Sequence, residues 1–204
     1  VTGKGKFIES PKMFVRRNEW QRIDQFEIDG KTGKGTIYAR YMPVNGRHTL
    51  RFESTDAGAA LRALGIVNSI NGGKITVDGK PSSKGGARDL TGSVILTNFT
   101  MVKAPVLARL LNAMSLTGII ELLDGSGIAF KKMRTNFAWT DRGAPDEPKN
   151  IRRISLKDGQ TSGASLGLTF EGVIDNWHNT YDIDGTIVPV SDLMTPKAGR
   201  LCYG

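Results

Sequence analysis

One pentapeptide in the sequence has the spacing of a catalytic motif. The segment Gly163-Ala164-Ser165-Leu166-Gly167 matches the G-x-S-x-G pattern, in which a nucleophilic serine stands on a tight turn between a strand and a helix. The residues after Ser165 alternate between apolar and polar types, as a strand does. We therefore interpret the segment as two glycines and a serine in a turn between strands, and an esterase acting through Ser165 as a remote alternative.

A second glycine-rich segment has part of a phosphate-binding pattern. Residues 30–36 read GKTGKGT, but Thr36 follows the last glycine, where a phosphate loop needs a lysine, and no helical pattern comes next. Asp-Gly and Asn-Gly pairs elsewhere in the first 54 residues are typical of tight hairpins. We interpret residues 30–36 as a hairpin turn.

The remaining reactive side chains are isolated in the sequence. His48 and His178 are the two histidines, and Cys202 is the single cysteine. Asp182 and Asp184 are two residues apart, so both lie on one face of a strand, where they could serve acid–base chemistry or bind a cation. We expect sheet-face histidines and solvated carboxylates instead. The sequence thus predicts a protein that is not an enzyme, with no cofactor and no metal site.

The composition is basic, with a net charge of +8. Aromatic residues make up 7% of the chain and do not alternate with basic ones, which argues against a stacking surface for nucleic acid. The basic residues of the second half include Lys131, Lys132, Arg134, Arg152 and Arg153. We interpret them as a solvated surface, with contact to anionic lipid headgroups as the alternative.

Period-two alternation recurs along the chain, as at Leu50 and Phe52 or at Leu166, Leu168 and Phe170. This pattern predicts an antiparallel sheet with one solvated face. The fold class is mainly β, a β-rich α+β fold with a curved antiparallel sheet or groove and two or three short amphipathic helices. We expect one module over residues 1–204, with a possible sub-boundary in the polar loop 80–89. The chain begins without methionine, so we expect a piece of a larger protein.

The densest apolar stretch lies between two predicted strands, over residues 105–123. Apolar residues there recur at helical spacing, and Pro105 suits a first helical position. Residues 55–65 predict another short helix, capped by Thr55 or Asp56 and ended by Gly65. The apolar helix set that we expect to line or plug a lipid-binding groove is Leu107, Leu110, Leu111, Met114, Ile119, Ile120, Leu122 and Leu123.

Nine short motifs, the first made of residues 55–58 with 61–65, lie in order between about residue 50 and residue 189 and carry a family resemblance. They are residues 55–58, 61–65 and 72–73, Gly92 with 98–99, and residues 104–111, 115–118, 125–130, 163–168, 172–175 and 185–189. Together they resemble the AsmA-like C-terminal region of large bacterial envelope proteins of the YhdP type. After Pro189 the chain departs from the family pattern, which usually continues with an aromatic residue and an asparagine.

The resemblance implies a non-catalytic lipid-binding module of a protein anchored in the bacterial inner membrane, with its bulk in the periplasm. It implies a groove-like sheet that takes part in phospholipid transport between the inner and outer membranes, as part of outer-membrane biogenesis. The expected partners are phospholipid acyl chains, the membrane through an anchor outside this fragment, and other envelope proteins, with no nucleic acid. The alternative is a structural or assembly module that docks partner proteins through its sheet edges.

Overall fold

A computed structural model describes residues 8–20, 23–83, 86, 88–103, 125–140, 153–164, 166–175 and 180–189. Ten strands and one helix, α1 (Ala57–Ala63), occupy these residues. The strands are β1 (Glu9–Arg17), β2 (Ile23–Thr32), β3 (Gly35–Val44), β4 (Arg47–Ser54), β5 (Ile70–Pro81), β6 (Leu90–Met101), β7 (Ile128–Thr140), β8 (Arg153–Gly163), β9 (Leu166–Asp175) and β10 (Thr180–Pro189).

All ten strands form one antiparallel sheet whose spatial order is the sequence order. The sheet is open, with β1 and β10 as its edges. Each strand therefore pairs with its neighbours along the chain. Antiparallel neighbours can be joined by a turn of only two residues, as in the tight hairpins of this sheet. The predicted mainly β, antiparallel fold is confirmed. Strands β5 and β6, on either side of the polar loop 80–89, pair directly with each other.

Two of the hairpin turns follow directly from residue chemistry. Asn45 and Gly46, between β3 and β4, both have positive φ angles, 51° and 75°, as a type I′ turn requires. Gly33, between β2 and β3, has a φ of 58°, which a side-chain-bearing residue adopts only at a cost. Residues 30–36 thus form the end of a hairpin, as the sequence predicts.

Helix α1 connects β4 to β5 and packs on the sheet through small residues. The Asp56 side chain accepts a hydrogen bond from the backbone N–H of Ala59 at 3.0 Å, which caps the helix. Gly58 lies so close to β5 that a Cβ built there would be 2.5 Å from the backbone O of Ile70. The predicted helix at residues 55–65 is confirmed, with Asp56 as its cap.

The other predicted helices, over residues 105–123, lie outside the described residues. Within the described residues α1 is the single α-helix, and no helix there is long and apolar enough to cross a bilayer.

The buried apolar side chains of the sheet lie in two clusters on one face. The larger cluster includes α1 and the ends of the strands beside it, with Ile37, Leu96 and Phe99 almost fully buried. The smaller cluster, at the other end of the strands, has Tyr41, Leu90 and Phe137 at its centre. Phe26, Val77 and Val94 contact both clusters, so apolar contact continues along the face.

Candidate functional site

One line of side chains crosses the whole sheet on its apolar face. Its members face one another in register from each strand to the next, and we call this line the transverse row. It consists of Val15, Phe26, Tyr41, Leu50, Gly79, Gly92, Phe137, Leu156, Gly172 and Ile183. Seven of the ten are apolar or aromatic side chains and the other three are glycines, so no charged group interrupts the row. At about 4.8 Å for each of nine strand-to-strand steps, the row measures about 43 Å along the sheet surface.

The exposure of the transverse row rises from the middle of the sheet to its two edges. Tyr41 and Phe137 are 7% exposed, whereas Val15 on β1 is 44% exposed and Ile183 on β10 is 42% exposed. Leu50 and Leu156 are half-buried. The face is therefore neither a sealed core nor a flat solvated surface, because its apolar side chains cover one another in the middle and meet water at the edges.

Gly79, in the middle of the transverse row, makes room for an aromatic ring. A Cβ built on Gly79 would lie 3.3 Å from Cζ of Phe137, so the Phe137 ring reaches across Gly92 to cover Gly79. A Cβ built on Gly92 would collide with the backbone oxygen of Asp78. Aromatic cover over a glycine keeps the strand backbone dry where no side chain does so.

The next line of residues, on the opposite face, is polar apart from Phe14 at its β1 end. It runs through Phe14, Glu27, Arg40, Arg51, Asp78, Ser93, Asn136 and Lys157. Arg40 and Arg51 face each other directly, yet each has its own carboxylate. Arg40 pairs with Glu27 at 3.3 Å, and Arg51 pairs with Asp78 and Glu53. The hydrogen bond from Arg51 to Asp78 raises the pKa of the guanidinium further. The sheet thus has one apolar face and one ionic face, as its alternation predicts.

An open depression of about 730 Å³ lies on the ionic face. Its walls include Lys80, Thr91, Ser93, Asn136 and Lys157, around the backbone of the two central glycines. The described walls carry polar and charged groups, and Lys80 and Lys157 are exposed. Because its side chains alternate with those of the transverse row, the depression is not part of the apolar face.

A small polar cluster interrupts the apolar face at one end of the strands. His48 is 5% exposed and stacks on Tyr41 with ring centroids 4.7 Å apart. Its Nε2 lies 3.0 Å from the backbone oxygen and 3.2 Å from Oδ1 of Asp24. Both atoms are acceptors, so Nε2 carries the proton that it donates. Arg16 donates to the other carboxylate oxygen of Asp24 at 2.8 Å, and Arg88 lies 3.8 Å from Oδ1.

The environment of Asp24 favours its charged form. Burial raises the pKa of Asp24, but the hydrogen bonds and positive charges of Arg16 and His48 outweigh burial, and the net pKa is lowered. The cluster therefore holds a carboxylate against two donors, Arg16 and His48, which fixes the ends of β1, β2 and β4 to one another. An acceptor already engaged in this way has a structural role.

The sequence indicates this cluster through the positions of its residues in their strands, because even- and odd-numbered residues of a strand face opposite sides of the sheet. Asp24 is an even-numbered residue of β2, like the inward-facing Phe26 and Ile28. His48 is an even-numbered residue of β4, like the inward-facing Leu50 and Phe52, and we predicted it to lie on a sheet face. Two polar residues at inward positions on nearby strands indicate a buried pair. The motifs and the spacing of reactive residues indicate His48 but do not indicate Asp24.

The predicted groove-lining set lies outside the described residues. It consists of Leu107, Leu110, Leu111, Met114, Ile119, Ile120, Leu122 and Leu123. Ser165, His178, Arg152 and Cys202 also lie outside the described residues. Strand β9 begins directly after Ser165, so a strand rather than a helix follows the G-x-S-x-G segment, as predicted.

The other predicted polar residues lie on the ionic face. Asp182 and Asp184 are exposed side by side on one face of β10. Lys131, Lys132 and Arg134 are exposed on β7, and no ion pair within the described part of the chain includes them. Arg153 differs, because it pairs with Asp175 at 3.1 Å. In the residues that the structure describes, no three His, Cys, Asp or Glu side chains come together as a metal-binding set.

Comparisons with protein-family models, with curated proteins and with solved structures found no match to this chain. The AsmA-like resemblance that the sequence carries therefore stays a prediction. Any function proposed for the described residues rests on the apolar face itself.

Proposed function

We propose that the apolar face of the ten-stranded sheet is a groove that binds phospholipid acyl chains, and that the protein is a non-catalytic lipid-binding module. The single observation that supports this most directly is the transverse row, an uncharged line across all ten strands with its exposed ends at the sheet edges. Burial of one chain methylene contributes about 0.8 kcal/mol. A dozen such contacts would offset the extraction of a tail from a bilayer without any reactive group.

The aromatic contacts across the face support the curvature that a groove needs. Tyr41 is on β3 and Trp139 is on β7, yet their ring centroids are 6.3 Å apart. Four strand-to-strand steps in a flat sheet would separate their backbones by about 19 Å. Two leaning side chains cannot close that distance alone. We infer that the sheet bends between these strands, with its apolar face on the inside of the bend.

The exposure of the row supports an opening of the proposed groove at the edge strands. The side chains of β3 to β7 cover one another, and α1 packs against one end of the face. The half-exposed residues Val15 and Ile183 form the two rims. We propose that a tail enters along these rims and lies on the half-buried residues next to them, such as Phe26 and Leu156.

The cellular setting is proposed from the sequence resemblance. We propose a module in the periplasm of a bacterial protein anchored in the inner membrane, which takes part in phospholipid transport to the outer membrane and so in cell-envelope biogenesis. Lys131, Lys132 and Arg134, which project from the ionic face, supply charges that anionic headgroups attract.

Photo-crosslinking with a phospholipid that carries a diazirine in its acyl chain tests the proposal. Leu156 and Lys157 are adjacent but face opposite sides of the sheet, so Leu156→Gln and Lys157→Gln form a matched pair. We expect Leu156→Gln to lower labelling several-fold, since binding weakens about fourfold for each methylene that no longer packs against an apolar side chain. Lys157→Gln should label as the wild type does.

Peptide mapping of the adducts gives the second readout. Adducts on the apolar face, together with phospholipid in an organic extract of the purified protein, are the expected result. Equal labelling of both faces, or equal labelling of the two variants, would refute an acyl-chain site on this face. Circular dichroism spectra that match the wild type ensure that a loss of labelling does not reflect unfolding.

A further inference from the structure

The two edge strands of the sheet carry charges of opposite sign. Strand β1 has Lys12, Arg16 and Arg17 against the single acid Glu9. Strand β10 has Asp182 and Asp184 and no basic residue. Arg16 pairs with Asp24 in the same chain, whereas Lys12 makes no ion pair within the described residues.

The charges and the apolar side chains of both edges lie on matching faces. On β1, Met13 and Val15 face the apolar side and are 54% and 44% exposed. On β10, Ile183 faces the apolar side and is 42% exposed. By register, Lys12 and Arg16 on β1 and Asp182 and Asp184 on β10 occupy positions on the ionic side, and the Arg16 guanidinium also bonds to Asp24. Each edge thus offers the other an apolar contact on one face and an ion pair on the opposite face.

The number of strands makes the two edges compatible in direction. Adjacent strands of this sheet alternate in direction, and ten is an even number. Strand β10 of one copy would therefore run antiparallel to β1 of the next, with the apolar faces of both copies on the same side. An odd number of strands would have required a parallel junction or a reversed face.

One register satisfies both faces together. If Ile183 lies opposite Val15, then Asp182 lies opposite Arg16. Asp184 then lies opposite Phe14 and diagonal to both Arg16 and Lys12. Directly opposite and diagonal neighbours are the pairs that interact across antiparallel strands.

Pairing of like edges is opposed by the same charges. Two β10 edges would bring aspartates together, and two β1 edges would bring basic residues together, which destabilises a strand pair. Charged residues on edge strands commonly serve to prevent edge pairing. Here the opposite signs prevent pairing of like edges only.

From these observations we propose that copies of this chain associate head to tail, with the β10 edge of one copy added to the β1 edge of the next. The association joins the apolar faces of successive copies into one longer face. It rests on the edge strands alone and does not depend on lipid binding.

Two variants, each with one blocked edge, test the proposal in lipid-free buffer. Met13→Lys/Val15→Lys places charge on the apolar side of β1, and Ile183→Lys does so on β10. All three positions are exposed, so the fold does not require the native side chains. Val44→Lys is the matched control, because Val44 is an exposed strand residue, 47% exposed, away from both edges.

Sedimentation velocity over a range of concentrations gives the readout. The wild type and the Val44→Lys variant should form a concentration-dependent series of oligomers, and their association should weaken at 0.5 M salt, where the Debye length is about 4 Å. Each edge variant alone should associate about tenfold more weakly or not at all, because an unpaired charge sits in the junction. A mixture of the two edge variants should form dimers and nothing larger, since each supplies one intact edge.

The mixture distinguishes head-to-tail pairing from its alternatives. A wild type that stays monomeric at every concentration overturns the proposal. So does an edge variant that associates alone as tightly as the wild type, since that result means pairing of like edges or association through another surface. A mixture that stays monomeric while the wild type associates overturns it too, because another surface must then carry the association. If the wild type is not labelled by the acyl-chain probe but still forms the expected oligomers, the proposed function is refuted and this inference is not.

Discussion

Two leucines on the apolar face, Leu96 and Leu156, should respond very differently to truncation. Leu96 is 1% exposed and lies within the larger apolar cluster. Leu156 is half-buried in the transverse row. Replacement of leucine by alanine removes three carbon atoms, worth about 2.4 kcal/mol of transfer free energy when fully buried. An enclosed cavity adds to that cost, so Leu96→Ala should lower the free energy of unfolding by about 3 to 4 kcal/mol.

The cost of truncating Leu156 should be smaller because its side chain already meets water. The space that it leaves is open to solvent, so the cavity cost is absent, and part of the transfer free energy was never gained. We expect a decrease of about 1 to 1.5 kcal/mol for Leu156→Ala. The two substitutions thus differ by about 2 kcal/mol despite their identical chemistry.

Urea unfolding followed by circular dichroism measures both values. Equal m-values for the wild type and the two variants are needed before the midpoints are compared. Acyl-chain labelling gives the complementary result, because Leu156→Ala should reduce labelling of the folded protein and Leu96→Ala should not. If Leu156→Ala costs as much stability as Leu96→Ala, then the transverse row is enclosed at that point and has no space for a tail there.

Three local features give further predictions. Asp24→Asn should lower the free energy of unfolding by about 1 to 2 kcal/mol at neutral pH. Because the folded pKa of Asp24 is lowered, this decrease should be constant above about pH 4 and should shrink as the pH falls below it, which a pH series of urea unfolding curves checks. Gly58→Ala should destabilise the fold by about 1 to 3 kcal/mol, since the added Cβ would lie 2.5 Å from the backbone oxygen of Ile70. Glycine to alanine usually stabilises a helix, so a thermal midpoint above that of the wild type would contradict this prediction. Asp56→Ala should cost about 1 kcal/mol because it removes the α1 cap, and thermal unfolding with Asp56→Asn as the cap-preserving control tests this.

The strand pattern could be predicted from the sequence because antiparallel neighbours follow one another along the chain. Alternation at Leu50 and Phe52, or at Leu166 and Leu168, identifies inward-facing residues wherever a strand is regular. The Asn45-Gly46 pair identified its turn through the positive φ angles that both residues tolerate. These signals are local, and the fold is built from local pairings.

Alternation fails where a residue in the left-handed conformation interrupts a strand. Leu96 and Phe99 both face the buried side although one number is even and the other odd. Asn98 lies between them with a φ of 53°, a left-handed conformation, and the register with β5 and β7 is the same on both sides of it. Asp158 has the same φ in β8, where the register shifts between Leu156 and Gly159. An isolated asparagine or aspartate in a strand suggests such an interruption, but does not fix it, so continuous rows such as the transverse row could not be traced from the sequence.

The meander explains how an apolar face can stay partly open. In a sheet whose strands all pair with their sequence neighbours, the backbone hydrogen bonds between strands form without a second layer, except along the outer edges of β1 and β10. The ionic face adds side-chain pairs such as Arg51 with Asp78, which hold neighbouring strands together from the opposite side. On the apolar face, α1 and the side chains of the central strands bury the apolar clusters that stabilise the fold. The half-covered strands near the edges retain apolar area that a ligand, rather than the fold, would bury.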